Sequence, residues 1–160
     1  PEHERGSMKL RTLLIVLMLR LACSADPAQH PSGAYRFELP TGWAQEEPDL
    51  WHDKSQHRVL NIVKVDLPGE DKLEAWAQAT VEDGGKKKWS QIKVLDGTLG
   101  TKKSKVITAI DKSGGKPVFI KAILAINKTT GASLIFVDED GDNPELEANV
   151  TSVVDSFQWK

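Results

Sequence analysis

The sequence predicts an α+β protein, in which an antiparallel β-sheet is flanked by two helices in an α/β/α sandwich. Several segments of strand length alternate apolar and polar residues or are apolar throughout, and short turn sequences join them. Such short connections favour antiparallel neighbours. Two further segments carry apolar residues at helical spacing. Strands that are apolar on both faces need a cover on each side, which two amphipathic helices supply.

The first strands precede the first helix. Residues 34–39 alternate aromatic or aliphatic residues with charged ones, which is the pattern of a half-buried strand. Residues 40–42, Pro-Thr-Gly, predict a turn. Trp43 opens a short segment, and residues 50–53 predict another short strand. Residues 59–65 are a clearer strand with apolar residues on both faces.

The first helix is predicted to begin at Asp71, because Glu74 stands three residues later, as a capping box requires. Residues at helical spacing give it one apolar stripe. The stripe consists of Leu73, Trp76, Ala77, Thr80 and Val81. Gly84 and Gly85 are predicted to end the helix.

The second half of the sheet is a series of strands and turns. The predicted strands are residues 89–95, 105–110, 118–126 and 133–137, with turns at 96–97, 111–116 and 128–131. Residues 118–126 are apolar on both faces, so we expect this strand to be central.

The last helix has a clear start. Asn143 is a suitable N-cap and Pro144 suits the first turn. Its predicted buried face consists of Leu146, Val150, Val153, Val154 and Phe157. Residues 138–143 are acidic and predict a turn that leads into the helix N-terminus, where negative charge is favourable.

An export signal is predicted at the N-terminus. Lys9 and Arg11 precede an apolar core at residues 13–19, which is too short to span a bilayer. We therefore divide the chain into an upstream extension with export signal at residues 1–25, a polar tether at 26–33, and one domain at 34–160.

Two processing routes remain open for this signal. Leu21-Ala22-Cys23 resembles the lipobox of bacterial lipoproteins, in which Cys23 is lipidated, although Arg20 stands where an aliphatic residue is usual. Cleavage after Ala25 is the alternative. The expected location is outside the cytoplasm, either free in the periplasm or tethered to a membrane as a lipoprotein.

Composition limits the function. The 160 residues include 21 Lys and Arg and 23 Asp and Glu, and this near-neutral balance argues against a nucleic-acid binder. Cys23 is the single cysteine, so an internal disulfide is excluded. The sequence has no nucleophile elbow, P-loop or dinucleotide fingerprint. No cofactor and no catalytic residues are predicted.

His52, Asp53 and His57 are the candidate metal ligands. Imidazole and carboxylate groups together suit zinc or a similar divalent ion. Their surroundings do not indicate a helix, so the spacing favours a polar turn with solvated histidines over a metal site.

Lysine and tryptophan residues are the candidate binding residues. Two basic clusters, Lys86, Lys87, Lys88 with Trp89 and Lys102, Lys103 with Lys105, are predicted near the same edge of the sheet. They suit anionic lipid or an acidic partner, or else they are solvated loops and a lysine-protected edge strand. Trp51 and Trp89 are expected to be exposed anchors, whereas Trp76 and Trp159 are expected in the core.

Two packing motifs resemble the PsbP-like superfamily. Residues 37–43, Phe-Glu-Leu-Pro-Thr-Gly-Trp, resemble the entry motif of its bacterial members, and residues 156–159, Ser-Phe-Gln-Trp, resemble the end of their last helix. The resemblance covers residues 34–160. It implies the sandwich fold and a habit of binding other proteins. The export signal makes the DcrB-like envelope lipoproteins the nearest group.

The predicted function is an exported, non-enzymatic binding or assembly module of the bacterial cell envelope, with another envelope protein as partner. One alternative is a divalent-metal-binding protein or metal-dependent enzyme that uses His52, Asp53 and His57. The other is a binder of anionic membrane surfaces through the lysine clusters. The sequence does not predict the oligomeric state.

Overall fold

A seven-stranded antiparallel sheet forms the centre of the protein. The computed structural model describes residues 28–30 and 32–160. The strands are β1 (Ala28–Gln29), β2 (Tyr35–Phe37), β3 (Ala44–Glu47), β4 (Leu50–His52), β5 (Arg58–Asp66), β6 (Trp89–Leu99), β7 (Lys102–Asp111), β8 (Val118–Asn127), β9 (Thr130–Asp138) and β10 (Gln158–Trp159). The helices are α1 (Leu73–Lys86) and α2 (Pro144–Ser156), and a 3-10 turn (Glu70–Lys72) precedes α1.

The strand order of the seven-stranded sheet is β3-β4-β5-β9-β8-β7-β6. The strands β8 and β9 lie near its middle because they are apolar on both faces. They form a hairpin in which Asn127 is opposite Thr130. The strand β5 pairs with the other side of β9, and Arg58 is opposite Asp138. The central position predicted for residues 118–126 is confirmed.

Helix α2 covers one face of the sheet together with a small sheet of order β1-β2-β10. Leu146, Val150 and Val153 of α2 pack into the larger of two cores. The small sheet adds Tyr35 and Phe37 to this core. The seven-stranded sheet contributes ten residues to this core: Trp51, Leu60, Ile62, Leu99, Phe119, Ile123, Ala125, Ala132, Leu134 and Phe136.

Helix α1 covers part of the other face. Its main contacts are with β6, β7 and β8. The core beneath it is smaller and centres on Ala77, Ile107, Ala122 and Leu124. Successive residues of β8 thus belong to different cores, as the period of two requires. The predicted α/β/α sandwich is confirmed, with helices on opposite faces.

The ends of α1 differ from the prediction. Asp71 does not cap it, because residues 70–72 form a 3-10 turn and the residue at the N-cap position, Lys72, makes no side-chain cap. The helix also continues through Gly84 and Gly85 to Lys86. Gly84 is kept inside the helix by packing, since a Cβ at this position would overlap the Trp89 ring.

The turn predicted at residues 96–97 is wrong. The strand β6 passes straight through them, and the hairpin turn lies at Gly100 and Thr101, where Gly100 has a φ of 58°. Gly97 pairs with Ser104 in the ladder. An Asp-Gly pair is a local turn signal, and here the long ladder with β7 overrides it.

The predicted tether is wrong in part, because its described residues belong to the fold. Ala28 pairs with Phe37. The His30 side chain is buried, with Nε2 3.1 Å from the Ile62 carbonyl oxygen. The predicted export signal, including Cys23, lies outside the described residues. In the part of the chain that the structure covers, neither helix has the length and apolar character needed to cross a bilayer.

Candidate functional site

The three candidate metal ligands do not converge. The His52 Nδ1 atom lies 2.9 Å from the Asp53 carbonyl oxygen, whereas the His57 Nδ1 atom lies 3.5 Å from Asp140 Oδ2. The Asp53 carboxylate accepts a hydrogen bond of 2.7 Å from Ser55 Oγ. Within residues 28–30 and 32–160, no three His, Cys, Asp or Glu side chains are placed to hold a metal ion. The structure therefore gives the metal-site prediction no support.

Asp53 instead belongs to a charged cluster around Arg58. Burial opposes ionisation of Asp53, but hydrogen bonds from Ser55 and Arg58 outweigh it and lower the pKa of this carboxyl. The buried Arg58 guanidinium lies 2.7 Å from Asp138 Oδ2 and 2.7 Å from Glu145 Oε1. The hydrogen bond to Asp138 is the largest influence that raises the pKa of Arg58. This cluster joins β5, β9 and the start of α2.

The sequence analysis missed the Arg58 cluster. A signal was present, because Arg58 begins a strand and the acidic run 138–143 follows another strand. Their antiparallel pairing, with Arg58 opposite Asp138, brings the two together. The cluster has a structural role, because its carboxylates pair with the buried guanidinium of Arg58.

The two lysine clusters do not form one basic patch. Lys86, Lys87 and Lys88 stand where α1 leads into β6, and Lys102, Lys103 and Lys105 stand at the hairpin end of β7. These positions lie at opposite ends of the β6–β7 ladder, about 30 Å apart at the usual rise per strand residue. Both clusters thus lie near the same edge of the sheet, formed by β6 and β7, but at its two ends.

Several of these lysines are already ion-paired. Lys102 Nζ lies 2.8 Å from Glu70 Oε1. Lys105 Nζ lies 2.6 Å from Glu74 Oε2 and 2.9 Å from Asp96 Oδ1. A cleft of about 540 Å³ lies between the start of α1 and this hairpin. Its charged lining consists of four carboxylates and two ammonium groups, from Glu70, Asp71, Glu74, Asp96, Lys103 and Lys105, so the lysines here do not make a basic site.

The tryptophan predictions are partly corrected. Trp51 is 1% exposed and packs edge-on against Phe37 with ring centroids 5.2 Å apart, so its predicted exposure is wrong. Trp89 is half-buried because its ring lies against Gly84. Trp76 and Trp159 are half-buried, and each packs against one of the two cores.

The sheet face beside α1 carries the strongest candidate for a binding surface. Helix α1 packs mainly on β6, β7 and β8, and its Trp76 ring also lies over Gly131 of β9. Among the described residues, this leaves β4, β5 and the Val137 end of β9 without a helix on this side. Five aliphatic residues here are half-buried and belong to neither core. We call them the open face; they are Leu50, Val59, Val63, Val65 and Val137.

The strand register makes the open face continuous. Val59 is opposite Val137, and Leu50 is opposite Asn61, which in turn is opposite Ile135. Residues opposite one another in an antiparallel ladder project on the same side. These rows therefore place the five aliphatic side chains on one surface that runs from β4 to β9, where His52 and Asn61 are polar members of the same rows.

A groove borders the open face where α1 rises from the sheet. It has a volume of about 300 Å³. Trp76, Thr80 and Gly84 form its helical wall, and Ser133 and Ile135 form its floor. The open face thus ends in a recess that is deep enough for an apolar side chain.

The rim of the open face is acidic at β3. Glu47 is opposite Leu50 and therefore projects on the same side. Glu46 precedes it, and both glutamates are exposed. Within the described residues neither glutamate makes an ion pair. The unpaired carboxylates give this side of the surface a negative potential.

Comparison with known proteins identifies the fold. No family model matches the sequence, and no curated protein matches it. Among solved structures, a protein from Bacteroides thetaiotaomicron VPI-5482 superposes with a TM-score of 0.60 and 10% identity, over 84% of this chain and 48% of that one. The chain thus spans about half the length of that protein.

A second solved structure is the cyanobacterial PsbP (CyanoP) of Synechocystis sp. PCC 6803. Its TM-score is 0.56 at 12% identity, over 86% of this chain and 97% of that one. Likeness at this identity defines a shared fold and leaves function to be argued from the surface. The chain therefore has a PsbP-like fold, a mixed α+β sandwich of two helices and an antiparallel sheet.

Proposed function

We propose that this protein is a non-enzymatic binding module that holds an apolar segment of another protein on its open face. The observation that carries the proposal is that the five aliphatic side chains of this face belong to neither core. Contiguous apolar surface on a soluble domain is typical of interaction sites.

The groove beside α1 supports a side-chain anchor. A bound segment that runs along β5 places one apolar residue over Ser133 and Ile135, between Val63 and the Trp76 ring. Large apolar side chains in such central pockets contribute most of the affinity of many interfaces. The open face provides a flat contact area, and the groove provides a pocket for one apolar side chain.

The charge at the rim indicates the partner's chemistry. Glu46 and Glu47 have no cationic partner in the described chain and stand beside Leu50. A segment that carries Lys or Arg next to its apolar residues places these cations against the glutamates. Complementary charge of this kind raises the association rate and selects among partners. We therefore propose a basic, apolar segment as the occupant.

Two synthetic peptides test this proposal. One alternates Leu with Lys and the other alternates Leu with Glu, and both are titrated into the full chain with methyl-labelled Leu and Val residues. We expect the Leu-Lys peptide to shift the methyl signals of Leu50, Val59, Val63, Val65 and Val137 and to bind more tightly than the Leu-Glu peptide. Shifts confined to other methyl groups, or equal binding of the two peptides, contradict the proposal.

Matched variants sharpen the test. The double variant Val59→Thr/Val63→Thr keeps branched side chains at the face but makes it polar, and we expect it to weaken peptide binding. Val94→Thr changes the same residue type on the opposite edge of the sheet, where Val94 is 42% exposed, and we expect it to bind as the wild type does. Glu46→Gln/Glu47→Gln should remove the preference for the Leu-Lys peptide.

The proposal includes an extracytoplasmic location, with another envelope protein as partner. The export signal predicted at residues 1–25 supports it. Intact mass and membrane partitioning of the chain from an exporting bacterium provide the test. A membrane-bound product that begins at lipidated Cys23 indicates a tethered lipoprotein, close to the DcrB-like group, and a free product that begins at Asp26 indicates periplasmic release. An uncleaved chain contradicts the proposed location.

A further inference from the structure

The edge strand β6 exposes apolar side chains that the rest of the fold does not need. It spans 11 residues and pairs on one side only, with β7. Among the described residues, the exposed large hydrophobic side chains are Val94, at 42%, and Leu95, at 61%, and both lie in the middle of this strand. An exposed edge strand with apolar side chains is a template for pairing with another strand.

Of the features that protect such edges, β6 has two charged side chains, Lys93 and Asp96, and one irregularity in its pairing. An irregularity in the pairing with β7 lies between Ser90 and Lys93, near the start of the strand. From Lys93 to Leu99 the ladder is regular and contains no proline. The opposite edge, β3, is by contrast four residues long, irregular and acidic. A partner strand therefore has a straight segment available at β6.

We propose that a second copy of this chain pairs with β6 in antiparallel fashion, about a two-fold axis that passes through Leu95. Such an axis stands perpendicular to the sheet. Each residue of β6 is therefore opposite a residue of the second copy whose side chain projects on the same side of the joined sheet. Leu95 is then opposite Leu95 of the second copy. Val94 is opposite Asp96 of the second copy, and Lys93 is opposite Gly97.

This register completes an apolar row on the side of the sheet that carries α2. Leu95 is opposite Val106 within its own sheet, and Val106 packs against the larger core. The joined sheet therefore contains the row Val106, Leu95, Leu95 of the second copy and Val106 of the second copy. The most exposed apolar side chain of the described chain becomes buried against its own symmetry mate.

The polar residues fit the same register. Gly97 is opposite Ser104 in the ladder, and a Cβ on Gly97 would lie 3.0 Å from Ser104 Oγ. This buried hydroxyl has no hydrogen-bond partner among the described residues. The second copy's Lys93, opposite Gly97, extends over this gap with an ammonium group that is within reach of the hydroxyl. Buried polar groups without a partner are rare, so this donor adds to the specificity of the pairing.

Charge also favours a second copy. Asp96 is already bound by Lys105 on its own sheet, at 2.9 Å, and it faces Val94 of the second copy. No two like charges are opposite one another in this register. A two-fold contact of identical strands also closes on itself and leaves no free β6 edge, which limits assembly to a dimer.

Cross-linking and mass measurements on the full chain test the proposal. Leu95→Cys in a Cys23→Ser background places thiols directly opposite one another, at a Cα separation of about 4.5–5.5 Å that a disulfide spans. We expect it to form a covalent dimer under mild oxidation. Val94→Cys in the same background faces Asp96 and serves as the control, with much less cross-linking. Sedimentation equilibrium of the wild type should give twice the chain mass.

A charge variant separates association from folding. Leu95→Lys replaces a side chain that is 61% exposed and places two ammonium groups on the axis, so we expect a folded monomer. Thr101→Lys adds the same charge at the hairpin turn, beyond the strand, and should stay dimeric. A monomeric wild type, a dimer that survives Leu95→Lys, or equal cross-linking of the Leu95→Cys and Val94→Cys variants overturns the proposal. The peptide test concerns β4, β5 and β9 and touches β6 only through its Val94→Thr control, so the failure of either proposal leaves the other standing.

Discussion

Arg58 Nε lies 2.7 Å from Asp138 Oδ2, and both side chains are buried where β5 pairs with β9. The same Asp138 carboxylate accepts a hydrogen bond of 3.0 Å from Asn143 Nδ2 at the start of α2. One buried ion pair therefore connects the sheet to the helix that covers it. The Arg58 guanidinium also lies 4.0 Å from Asp140 Oδ2, so it places positive charge beside the acidic run at residues 138–143.

We expect Asp138→Asn to lower the free energy of unfolding by about 3 kcal/mol, because it leaves the buried Arg58 charge without its Asp138 partner. Urea denaturation measures the loss. Glu139→Gln is the control, since it breaks an exposed pair with Lys116 and should cost less than about 1 kcal/mol. Equal losses in the two variants would show that burial of the Arg58–Asp138 pair does not increase its contribution to the free energy of unfolding.

The N-terminal segment should respond to pH through His30. Burial lowers the pKa of this side chain below its usual value of 6.5, against a smaller opposite effect of the hydrogen bond to Ile62. The Nδ1 atom accepts a hydrogen bond from the Ser32 N–H at 3.2 Å, and protonation removes this acceptor. The folded state therefore binds fewer protons than the unfolded state around this pKa.

We expect the free energy of unfolding to be insensitive to His30 above pH 6.5 and to fall below it, until the pH passes the lower folded-state pKa. His30→Gln should reduce this slope. Urea denaturation across about pH 5–7.5 measures it, and His57→Gln, which changes an exposed histidine, should leave the His30 contribution in place. An unchanged slope in His30→Gln would contradict the assignment.

Two adjacent glycines of α1 should respond in opposite directions to alanine. A Cβ on Gly84 overlaps the Trp89 ring, so Gly84→Ala should destabilise the protein by about 1–3 kcal/mol and alter Trp89 fluorescence. Gly85 has nothing within 4 Å of that position, so Gly85→Ala should stabilise by about 0.5–1 kcal/mol through helix propensity. Stabilisation by both substitutions would mean that Trp89 does not pack on Gly84.

The two predicted helix caps also differ. Asn143 Oδ1 accepts a hydrogen bond of 2.9 Å from the Leu146 N–H, so Asn143→Ala should cost about 1–2 kcal/mol. Asp71 makes no such bond and pairs with Lys72 on the surface, so Asp71→Ala should cost clearly less than Asn143→Ala. Thermal unfolding compares them. A larger loss from Asp71→Ala than from Asn143→Ala would mean that Asp71 caps α1, as the sequence predicts.

Local patterns predicted the elements well where neighbouring residues decide the conformation. Asn143 and Pro144 marked the start of α2, and the nearly continuous apolar run of β8 predicted that both its faces are covered. The predictions failed where a distant element decides. Trp51 stands in a polar stretch, yet Phe37 and the main core bury it.

The sequence by itself determined which side of each strand and helix is apolar, since that follows from periods of two and 3.6 residues. Only the tertiary structure decided which of those sides is covered. Val59 and Leu60 are adjacent in one strand. Leu60 is fully buried in the larger core, on the side of the sheet that α2 covers, whereas Val59 lies on the open face. The lateral position of α1 over β6, β7 and β8 makes this difference. Helix placement depends on packing between residues far apart in the chain, which no local period records.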